Sequence, residues 1–356
     1  MQITHVEVIP VKLPLRLPFR TAYHSEDAVE HAEAVFVRIE TRQGDVAWGC
    51  AAFDTALTGE TLDSVTRACR ACADRARDLN PLNTEYALAE LSTLTQNTPS
   101  ALCAFDIAFH DLLGLAAGLP LYRLLGGYRD RIPTSVSIGL GTVQETVEMA
   151  RDRVRQGFHI LKVKGGLDPE EDVRRVRAVR RAFPNCTLRL DADGGYSIRE
   201  ALDVAQALAG ELEMLEQPIS PAEGVETLRQ VTMQSKTPIL ASQSVVGPAS
   251  ALEIASRRAA HGISIKLATC GGIAPARQIG AVARTAQMTT MVGSLSEPAL
   301  LIAAGLAFAL SSPAVRYGDL DGHFDLEGDP TVARFLVEDG WLIATDVPGL
   351  GCAVNL

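Results

Sequence analysis

The stretch 159-HILKVKGGLDPEEDVRRVRAVRRAFPNCTLRLDAD-193 contains an apolar run, an amphipathic segment and a second apolar run in succession. The same pattern recurs about every 25 residues between residues 132 and 321, as expected for alternating strands and helices. The apolar runs are TSVSIGL (134–140), HILKVKG (159–165), TLRLDAD (187–193), LEMLEQP (212–218), PILASQS (238–244), GISIKLA (262–268), TTMVGSL (289–295) and VRYGDLD (315–321). Strands that alternate with helices predict a parallel sheet of the α/β class, and eight such units can close into a (β/α)₈ barrel.

A doubly wound open sheet is the alternative arrangement of the same units. Such a sheet usually carries a glycine-rich phosphate-binding turn after its first strand. The segment after the first run, GTVQETVEMA (141–150), does not resemble that turn. The barrel is therefore the preferred architecture.

The pattern divides the chain into three parts. Residues 1–128 begin with two strand-like stretches and continue with helical segments, which predicts an α+β capping domain. Residues 129–321 form the predicted barrel. Residues 322–356 read as strands and turns, and we expect this segment to pack back onto the capping domain and complete it.

Composition and charge limit the class of function. The 356 residues carry a formal net charge of -10, which argues against a nucleic-acid partner because such a partner requires a basic face. The charge does not exclude an anionic small molecule, since a few local cations can dominate one pocket.

The sequence also bears on cellular location. No apolar run reaches the roughly 20 residues that span a bilayer, and the first residues lack the features of a signal peptide. Seven scattered cysteines, an odd number, do not suggest a disulfide framework. We therefore expect a cytoplasmic protein without a membrane partner.

Polar and ionisable residues follow or end seven of the eight apolar runs. In this barrel, active sites form at the carboxyl ends of the strands. A single lysine or carboxylate would most simply be a solvated ion pair, but packing does not explain a whole ordered set. The set predicts an active site and consists of Lys162, Lys164, Asp191, Asp193, Glu216, Ser242, Gln243, Lys266, Glu297, Asp319 and Asp321.

These residue types suit removal of a proton beside a carboxylate. The product of that step carries two negative charges, which a divalent cation held by carboxylates can neutralise. A lysine that acts as the base needs a lowered pKa, and burial or a neighbouring cation can lower it. Lys162 beside Lys164 supplies such a neighbour, and Lys266 on the opposite wall could return the proton to the other face.

Over essentially its whole length the chain resembles the enolase superfamily, and within it the muconate-lactonising-enzyme subgroup. The matching segments are ILKVKGG, LRLDADGGYS, LEQP, ISIKLATCGGI, MVGSLSEP and the helix DIAFHDLLGLAAGLPLYRLLGG. The resemblance implies that Lys164 and Lys266 are the two catalytic bases. It also implies that Asp191 and Glu216 bind Mg²⁺ and that Glu297 lies near the site.

Two further segments resemble those of dipeptide epimerases in particular. The last run ends in Asp319-Leu320-Asp321, which is similar to a DxD motif that holds a dipeptide's α-ammonium group. PFRTA (18–22) is similar to the loop that covers the substrate in those enzymes, so Arg20 becomes a candidate for substrate contact. A solvated turn and a folded-back surface loop are the simpler interpretations of these two segments.

The fifth run departs from the subgroup's pattern. The resemblance predicts ADES there, with its aspartate as the third metal ligand, but the chain has Ala241-Ser242-Gln243-Ser244. Ser242 or Gln243 could fill the position with weaker electrostatic attraction, and Asp193, where the family often has asparagine, could restore the charge. We therefore expect a weakly bound Mg²⁺, with Ser242 and Asp193 as candidate ligands and Gln243 facing the substrate.

Three functions remain open from the sequence. The leading hypothesis is an epimerase or racemase of a dipeptide or N-substituted amino acid, a small-molecule carboxylate. A lyase, either a cycloisomerase or a dehydratase, would use the same lysines. The third hypothesis is a non-catalytic ligand-binding relative that has lost tight metal binding. A homo-oligomer is expected because related barrels commonly assemble.

Overall fold

The computed structural model describes residues 1–24 and 26–356. The first domain begins with an antiparallel sheet made of β1 (Ile3–Phe19), β2 (Val29–Thr41) and β3 (Val46–Phe53). A 3₁₀ helix, Ala22–His24, lies in the loop after β1. The helices that follow are α1 (Thr55–Thr58), α2 (Leu62–Ala76), α3 (Thr84–Ser92), α4 (Pro99–Ala117) and α5 (Leu121–Leu124). This arrangement agrees with the predicted α+β class, although the sequence patterns do not reveal β3.

The second domain is an eight-stranded parallel sheet that closes into a barrel, which confirms the predicted fold. A short strand, β4 (Arg131–Pro133), leads into it. The barrel strands are β5 (Val136–Ile138), β6 (Ile160–Lys164), β7 (Thr187–Asp191), β8 (Met214–Glu216), β9 (Ile239–Ala241), β10 (Gly262–Lys266), β11 (Thr289–Gly293) and β12 (Val315–Asp319). Every strand lies within one of the eight apolar runs.

Helices alternate with these strands, as the amphipathic segments predict. They are α6 (Val143–Arg155), α7 (Pro169–Ala182), α8 (Ile198–Ala207), α9 (Val225–Gln234), α10 (Pro248–Arg257), α11 (Leu267–Cys270), α12 (Ile273–Thr285) and α13 (Ala299–Ser311). Side-chain caps fix the starts of α6, α7 and α8, where Thr142, Asp168 and Ser197 accept hydrogen bonds from the first-turn N–H groups.

The barrel closes between its first and last strands. The strands follow one another around the sheet in chain order, from β5 to β12. Thr134 and Gly318 form a parallel bridge, and Ser135 N–H donates to the Gly318 carbonyl at 3.0 Å. Because strands four apart lie opposite in a closed ring of eight, β6 and β10 form opposite walls.

The C-terminal segment contacts both domains. Leu326 bridges Leu15 of β1, and Leu350 N–H donates to the Asp111 carboxylate in α4 at 2.7 Å. Two small sheets lie in this segment: β13 (Thr331–Ala333) pairs with β16 (Cys352–Val354), while β14 (Leu336–Glu338) and β15 (Trp341–Ile343) extend from β4. The segment therefore reaches the capping domain, as expected, and also the start of the barrel.

Helix α4 is the core helix of the capping domain. Among the described residues it alone is long and apolar enough to cross a membrane, and 72% of its apolar window is buried inside the fold. Phe105 and Phe109 pack with Val35 and Val37 of β2 in one apolar cluster. Such burial is typical of a helix at the centre of a folded domain.

Candidate active site

The register of the barrel brings the polar residues of consecutive strands together. Lys164 of β6 is paired with Asp191 of β7, and Asp191 with Glu216 of β8. Lys266 ends β10 on the opposite wall, next to Gly293 of β11. A parallel sheet aligns its carboxyl ends, so residues far apart in sequence form one layer at the barrel mouth.

Lys162 lies at the base of this layer. Its ammonium group donates to the Asp319 carboxylate and lies 3.5 Å from Asp191 and 3.7 Å from Glu216. Asp319 also accepts a hydrogen bond from Ser135 Oγ at 2.6 Å. Both members of the pair are almost completely buried. Lys162 thus supplies a fixed positive charge beneath the mouth.

Lys164 lies one layer higher and has its own carboxylates. Its Nζ is 2.8 Å from Asp191 Oδ2 and 3.0 and 3.1 Å from the two Asp193 oxygens. Gln243 Nε2, from the loop after β9, donates to Asp193 Oδ1 at 2.8 Å. The structure therefore places Asp193 and Gln243 together, on the side of the site that holds Lys164.

Lys266 has a different environment. Its Nζ is 2.5 Å from Ser242 Oγ and 3.9 Å from Glu216 Oε1. Ser242 is held by its backbone, because its N–H donates to Gln217 Oε1 at 2.8 Å. The neutral Ser242, which directly follows β9, thus contacts the lysine on the wall opposite Lys164.

The lysine pKa values differ from the expectation based on neighbouring cations. Burial lowers the pKa of Lys164, but the Asp191 and Asp193 carboxylates raise it more, and the net shift is upward. Burial likewise lowers the pKa of Lys162, while Asp319, Glu216 and Asp191 raise it well above the ordinary value. The sequence argument counted the like charge of adjacent lysines, whereas the fold gives each of these two lysines closer carboxylates.

The contacts with the lysines also shift the pKa values of the carboxylates. Burial raises the pKa of Asp191, but Lys164 and Lys162 outweigh it and hold the pKa below the ordinary value. Burial and the Asp191 charge raise the pKa of Asp193. Asp191 is therefore the more strongly ionised of the two.

Asp191 and Glu216 fit a divalent metal ion. Glu216 is fully buried, and neither of its carboxylate oxygens has a hydrogen-bond partner in the part of the chain that the structure describes. Lys162 and Lys266 lie 3.7 and 3.9 Å from this carboxylate without donating to it, so its oxygens stay free to accept a metal ion. Among residues 1–24 and 26–356, no three Asp, Glu, His or Cys side chains are arranged to hold a metal together. Any further ligands must therefore be neutral groups or water, which Mg²⁺ accepts readily.

A cavity of about 1020 Å³ opens above these groups, between the barrel mouth and the capping domain. Lys162, Lys164 and Lys266 reach it from the barrel. The loop after β1 covers it from the other side. Of the other residues predicted to bind a ligand, the cavity is lined by Asp193, Gln243, Asp321 and Arg20.

The described cavity lining does not include Glu297 or Asp319, which the sequence places in contact with the substrate. Glu297 is buried and accepts the Leu295 N–H at 3.1 Å, and burial raises its pKa to about 8. Asp319 is occupied by Lys162 and Ser135. Of the DxD pair only Asp321 lines the cavity, because it stands past the end of β12, whereas Asp319 is the last residue of that strand and is bound by Lys162.

Several residues of the site were not predicted. Ser137 and Ser294 line the cavity beside Asp321, whose carboxylate accepts the Ser137 N–H at 2.6 Å. Asp54, which lies 3.2 Å from His24 of the covering loop, also lines the cavity. Ser294 stands just past a strand end, a position that could have identified it. The Asp54 contact joins distant segments and leaves no local sequence signal.

Comparison with known protein families shows what the chain is similar to. A family model described as "Mandelate racemase / muconate lactonizing enzyme, N-terminal domain" matches residues 3–126. A second, described as "Enolase C-terminal domain-like", matches residues 145–356. Together the two matches cover the capping domain, most of the barrel and the C-terminal segment.

Individual relatives match over the full length. The L-Lys-D/L-Arg epimerase of Methylococcus capsulatus is 39% identical over 99% of both chains. A dipeptide epimerase from Enterococcus faecalis V583, solved with Mg and the dipeptide L-Leu-L-Tyr, has a TM-score of 0.95 at 33% identity and covers 99% of this chain and 100% of its own. A dipeptide epimerase from Methylococcus capsulatus, solved with Mg and L-Arg-D-Lys, has a TM-score of 0.92 at 34% identity and the same coverage.

Proposed function

Because the chain belongs to the mandelate racemase/muconate-lactonizing enzyme family of the enolase superfamily, we propose that it epimerises a dipeptide or N-substituted amino acid. The reacting centre is the α-carbon next to the carboxylate. The observation that carries the proposal is the position of Lys164 and Lys266, which face one cavity from opposite walls of the barrel. Two bases on opposite faces are what inversion of one carbon requires.

Each lysine has one part in this reaction. The neutral lysine on one side removes the α-proton, and the ammonium group on the other side delivers a proton to the opposite face. The roles reverse for the other diastereomer. Lys162 stays paired with Asp319 and contributes positive charge close to the substrate carboxylate.

Asp191 and Glu216 are the side chains that we propose to hold Mg²⁺. When bound there, Mg²⁺ supplies positive charge that stabilises the enolate and disfavours the protonated form of Lys164. Two carboxylates rather than three give a weaker attraction, so weak binding remains part of the proposal. Ser242 and Asp193 are the ligands that the sequence suggests in addition, and their contacts are considered separately below.

The charge of the cavity supports a dipeptide that carries positive charge. Asp321 offers a carboxylate for the α-ammonium group, a contact that charge-assisted hydrogen bonds stabilise. Eight acidic residues line the cavity, against four lysines and arginines. The acidic residues are Glu26, Asp27, Glu30, Glu33, Asp54, Asp193, Asp321 and Asp325. The Methylococcus relatives act on or bind dipeptides of lysine and arginine. We therefore propose L-Lys-L-Arg and its epimer L-Lys-D-Arg as first substrates.

The relatives named above are all epimerases, which favours epimerisation over the lyase reaction and over a non-catalytic role. The same two lysines would serve elimination, but no contact among the described residues of the site favours it. A cytoplasmic location and a homo-oligomeric state stay predictions.

Exchange of the α-hydrogen with solvent tests the proposal. The wild-type protein with Mg²⁺ in D₂O should incorporate deuterium at the arginine α-carbon of both L-Lys-L-Arg and L-Lys-D-Arg, followed by NMR. Lys164→Ala should abolish exchange for one diastereomer and Lys266→Ala for the other, because each lysine serves one face.

The matched control is Lys236→Ala, which removes an exposed lysine outside the cavity and should leave both rates unchanged. The double variant Lys164→Ala, Lys266→Ala should show no exchange. Exchange that persists in the double variant would overturn the two-lysine proposal. A product lighter than its substrate by one water would indicate dehydration instead.

A further inference from the structure

The two lysines are held by separate side chains. Asp193 contacts Lys164 through both carboxylate oxygens, at 3.0 and 3.1 Å. Ser242 contacts Lys266 at 2.5 Å. Each of these contacts belongs to one wall of the barrel, and neither residue forms a hydrogen bond to the other lysine in the described structure.

Asp193 is held in place before any substrate arrives. Its backbone is left-handed, with φ of 48°, a conformation that aspartate and asparagine tolerate better than most residues. Its N–H donates to Asp191 Oδ1 at 3.2 Å, and Gln243 Nε2 donates to its carboxylate at 2.8 Å. The turn and these two hydrogen bonds fix the carboxylate on the Lys164 side.

Ser242 is fixed in a comparable way. It is buried, and its N–H donates to Gln217 Oε1 at 2.8 Å. Gln217 in turn donates to Ser244 Oγ at 2.8 Å, which ties the β8 and β9 loops together. The Ser242 hydroxyl therefore stands at a set distance from Lys266.

We propose that Asp193 and Ser242 are positioning residues, one for each catalytic lysine, and that neither is a metal ligand. The inference rests on the proposed two-lysine function and deepens it. Asp193 orients Lys164 toward one face of the substrate, and Ser242 orients Lys266 toward the other. Ser242, which stands after β9 where the family resemblance predicts a metal-binding aspartate, thus positions a catalytic lysine instead.

The contacts favour this role over metal binding. The Asp193 carboxylate is occupied by Lys164 and Gln243, and the Ser242 hydroxyl by Lys266. Within the described residues Asp193 does not complete a three-group metal site with Asp191 and Glu216. Glu216, whose carboxylate oxygens accept no hydrogen bond among the described residues, is the side chain most available to the ion, and Asp191 is its neighbour in the strand register.

The test uses Asp193→Asn and Ser242→Ala. Asparagine keeps the shape, the left-handed backbone and an acceptor for Gln243, and alanine keeps the backbone that holds Ser242. Asp193→Asn should slow deuterium exchange about tenfold or more for the diastereomer that depends on Lys164, and by less than about threefold for the other, because a misplaced base loses its alignment. Ser242→Ala should show the reverse asymmetry.

Mg²⁺ affinity separates this role from a metal ligand. Calorimetry should give both variants an affinity within about threefold of the wild type, whereas Asp191→Asn, the control, should bind at least about tenfold more weakly. Equal slowing of both diastereomers, with or without loss of affinity, would overturn the inference. So would unchanged rates in both variants.

A measurement without substrate keeps the inference independent of the dipeptide chosen. Reductive methylation with Mg²⁺ present, resolved by peptide mass spectrometry, should label Lys164 faster in Asp193→Asn and Lys266 faster in Ser242→Ala. Labelling that stays unchanged at both lysines would contradict the pairing. Failure of the wild type to exchange either diastereomer, with the labelling pattern intact, would count against the proposed reaction and not against the pairing.

Discussion

At the scale of single residues, the fold holds several buried carboxyl groups, and Asp111 differs from those of the active site. It lies in α4, 6% exposed, and accepts the Leu350 N–H from the C-terminal segment. The described structure gives it no cationic partner. Burial therefore raises the pKa of Asp111 to about 7, although backbone hydrogen bonds from Leu350 and Trp48 partly oppose the shift.

This shift predicts a pH-dependent stability. A carboxyl group whose pKa is higher in the folded state binds more protons there than in the unfolded state. Its contribution therefore falls as the pH rises from about 4 to about 7 and is constant above that, with a slope of at most about 1.4 kcal/mol per pH unit. Asp111→Asn keeps an acceptor for Leu350 and should remove this part of the slope.

Urea unfolding of both proteins at pH 5, 6, 7 and 8 provides the measurement. The stability of Asp111→Asn relative to the wild type should increase up to about pH 7 and then level off. Comparison of the two proteins cancels other groups that titrate in this range. Parallel stability curves would show that folding does not raise the pKa of Asp111.

At the scale of elements, the capping domain depends on close contact between β3 and α4. A Cβ atom on Gly49 would lie 1.8 Å from the Ala104 carbonyl oxygen. Both are backbone positions within packed elements, so neither can move aside as a flexible side chain would. The contact requires glycine because the two backbones touch.

Gly49→Ala should therefore destabilise the protein strongly, by about 3 kcal/mol or more, since overpacking here displaces a whole element. Gly247→Ala is the matched control. Gly247 has an extended backbone, with φ of 173°, and nothing within 4 Å of an added Cβ. Thermal unfolding should show a large loss for Gly49→Ala and little change for Gly247→Ala. Similar melting temperatures for the two variants would contradict the packing argument.

At the scale of the whole molecule, charge is distributed unevenly between the site and its surroundings. The chain carries a net charge of -10, and the cavity lining is also predominantly acidic. Lys162 and Lys164 are paired with carboxylates, whereas Glu26 and Asp27 of the covering loop and Glu30 at the start of β2 form no ion pair in the described structure. The approach to the site should therefore attract cations.

A change in ionic strength tests whether the acidic lining attracts a cationic substrate. Raising the salt concentration from about 0.05 to about 0.5 M should raise the KM for L-Lys-L-Arg several-fold, because screening weakens attraction between exposed charges. The KM for an uncharged side chain, as in L-Ala-L-Ala, should change less. The double variant Asp27→Asn, Glu30→Gln should reduce the salt dependence for the cationic dipeptide. Equal salt dependence of KM for both dipeptides would show that the acidic lining does not favour the cationic dipeptide.

The sequence by itself determined the barrel and the membership of its active-site layer. Period-two strands and 3.6-residue helices are local patterns, and their alternation specifies a parallel sheet whose carboxyl ends coincide. Lys164, Asp191, Glu216 and Lys266 could therefore be placed together from their positions along the chain.

Only the tertiary structure decided which of these groups touch. It paired Asp193 with Lys164 and Ser242 with Lys266, placed Asp319 beneath the cavity, and gave Lys162 and Lys164 raised rather than lowered pKa values. The reason is physical: contacts and electrostatic energies depend on distances of a few ångströms across the barrel, which the strand twist and side-chain rotamers set. A linear pattern specifies the layer in which a side chain lies, but not its neighbour in that layer.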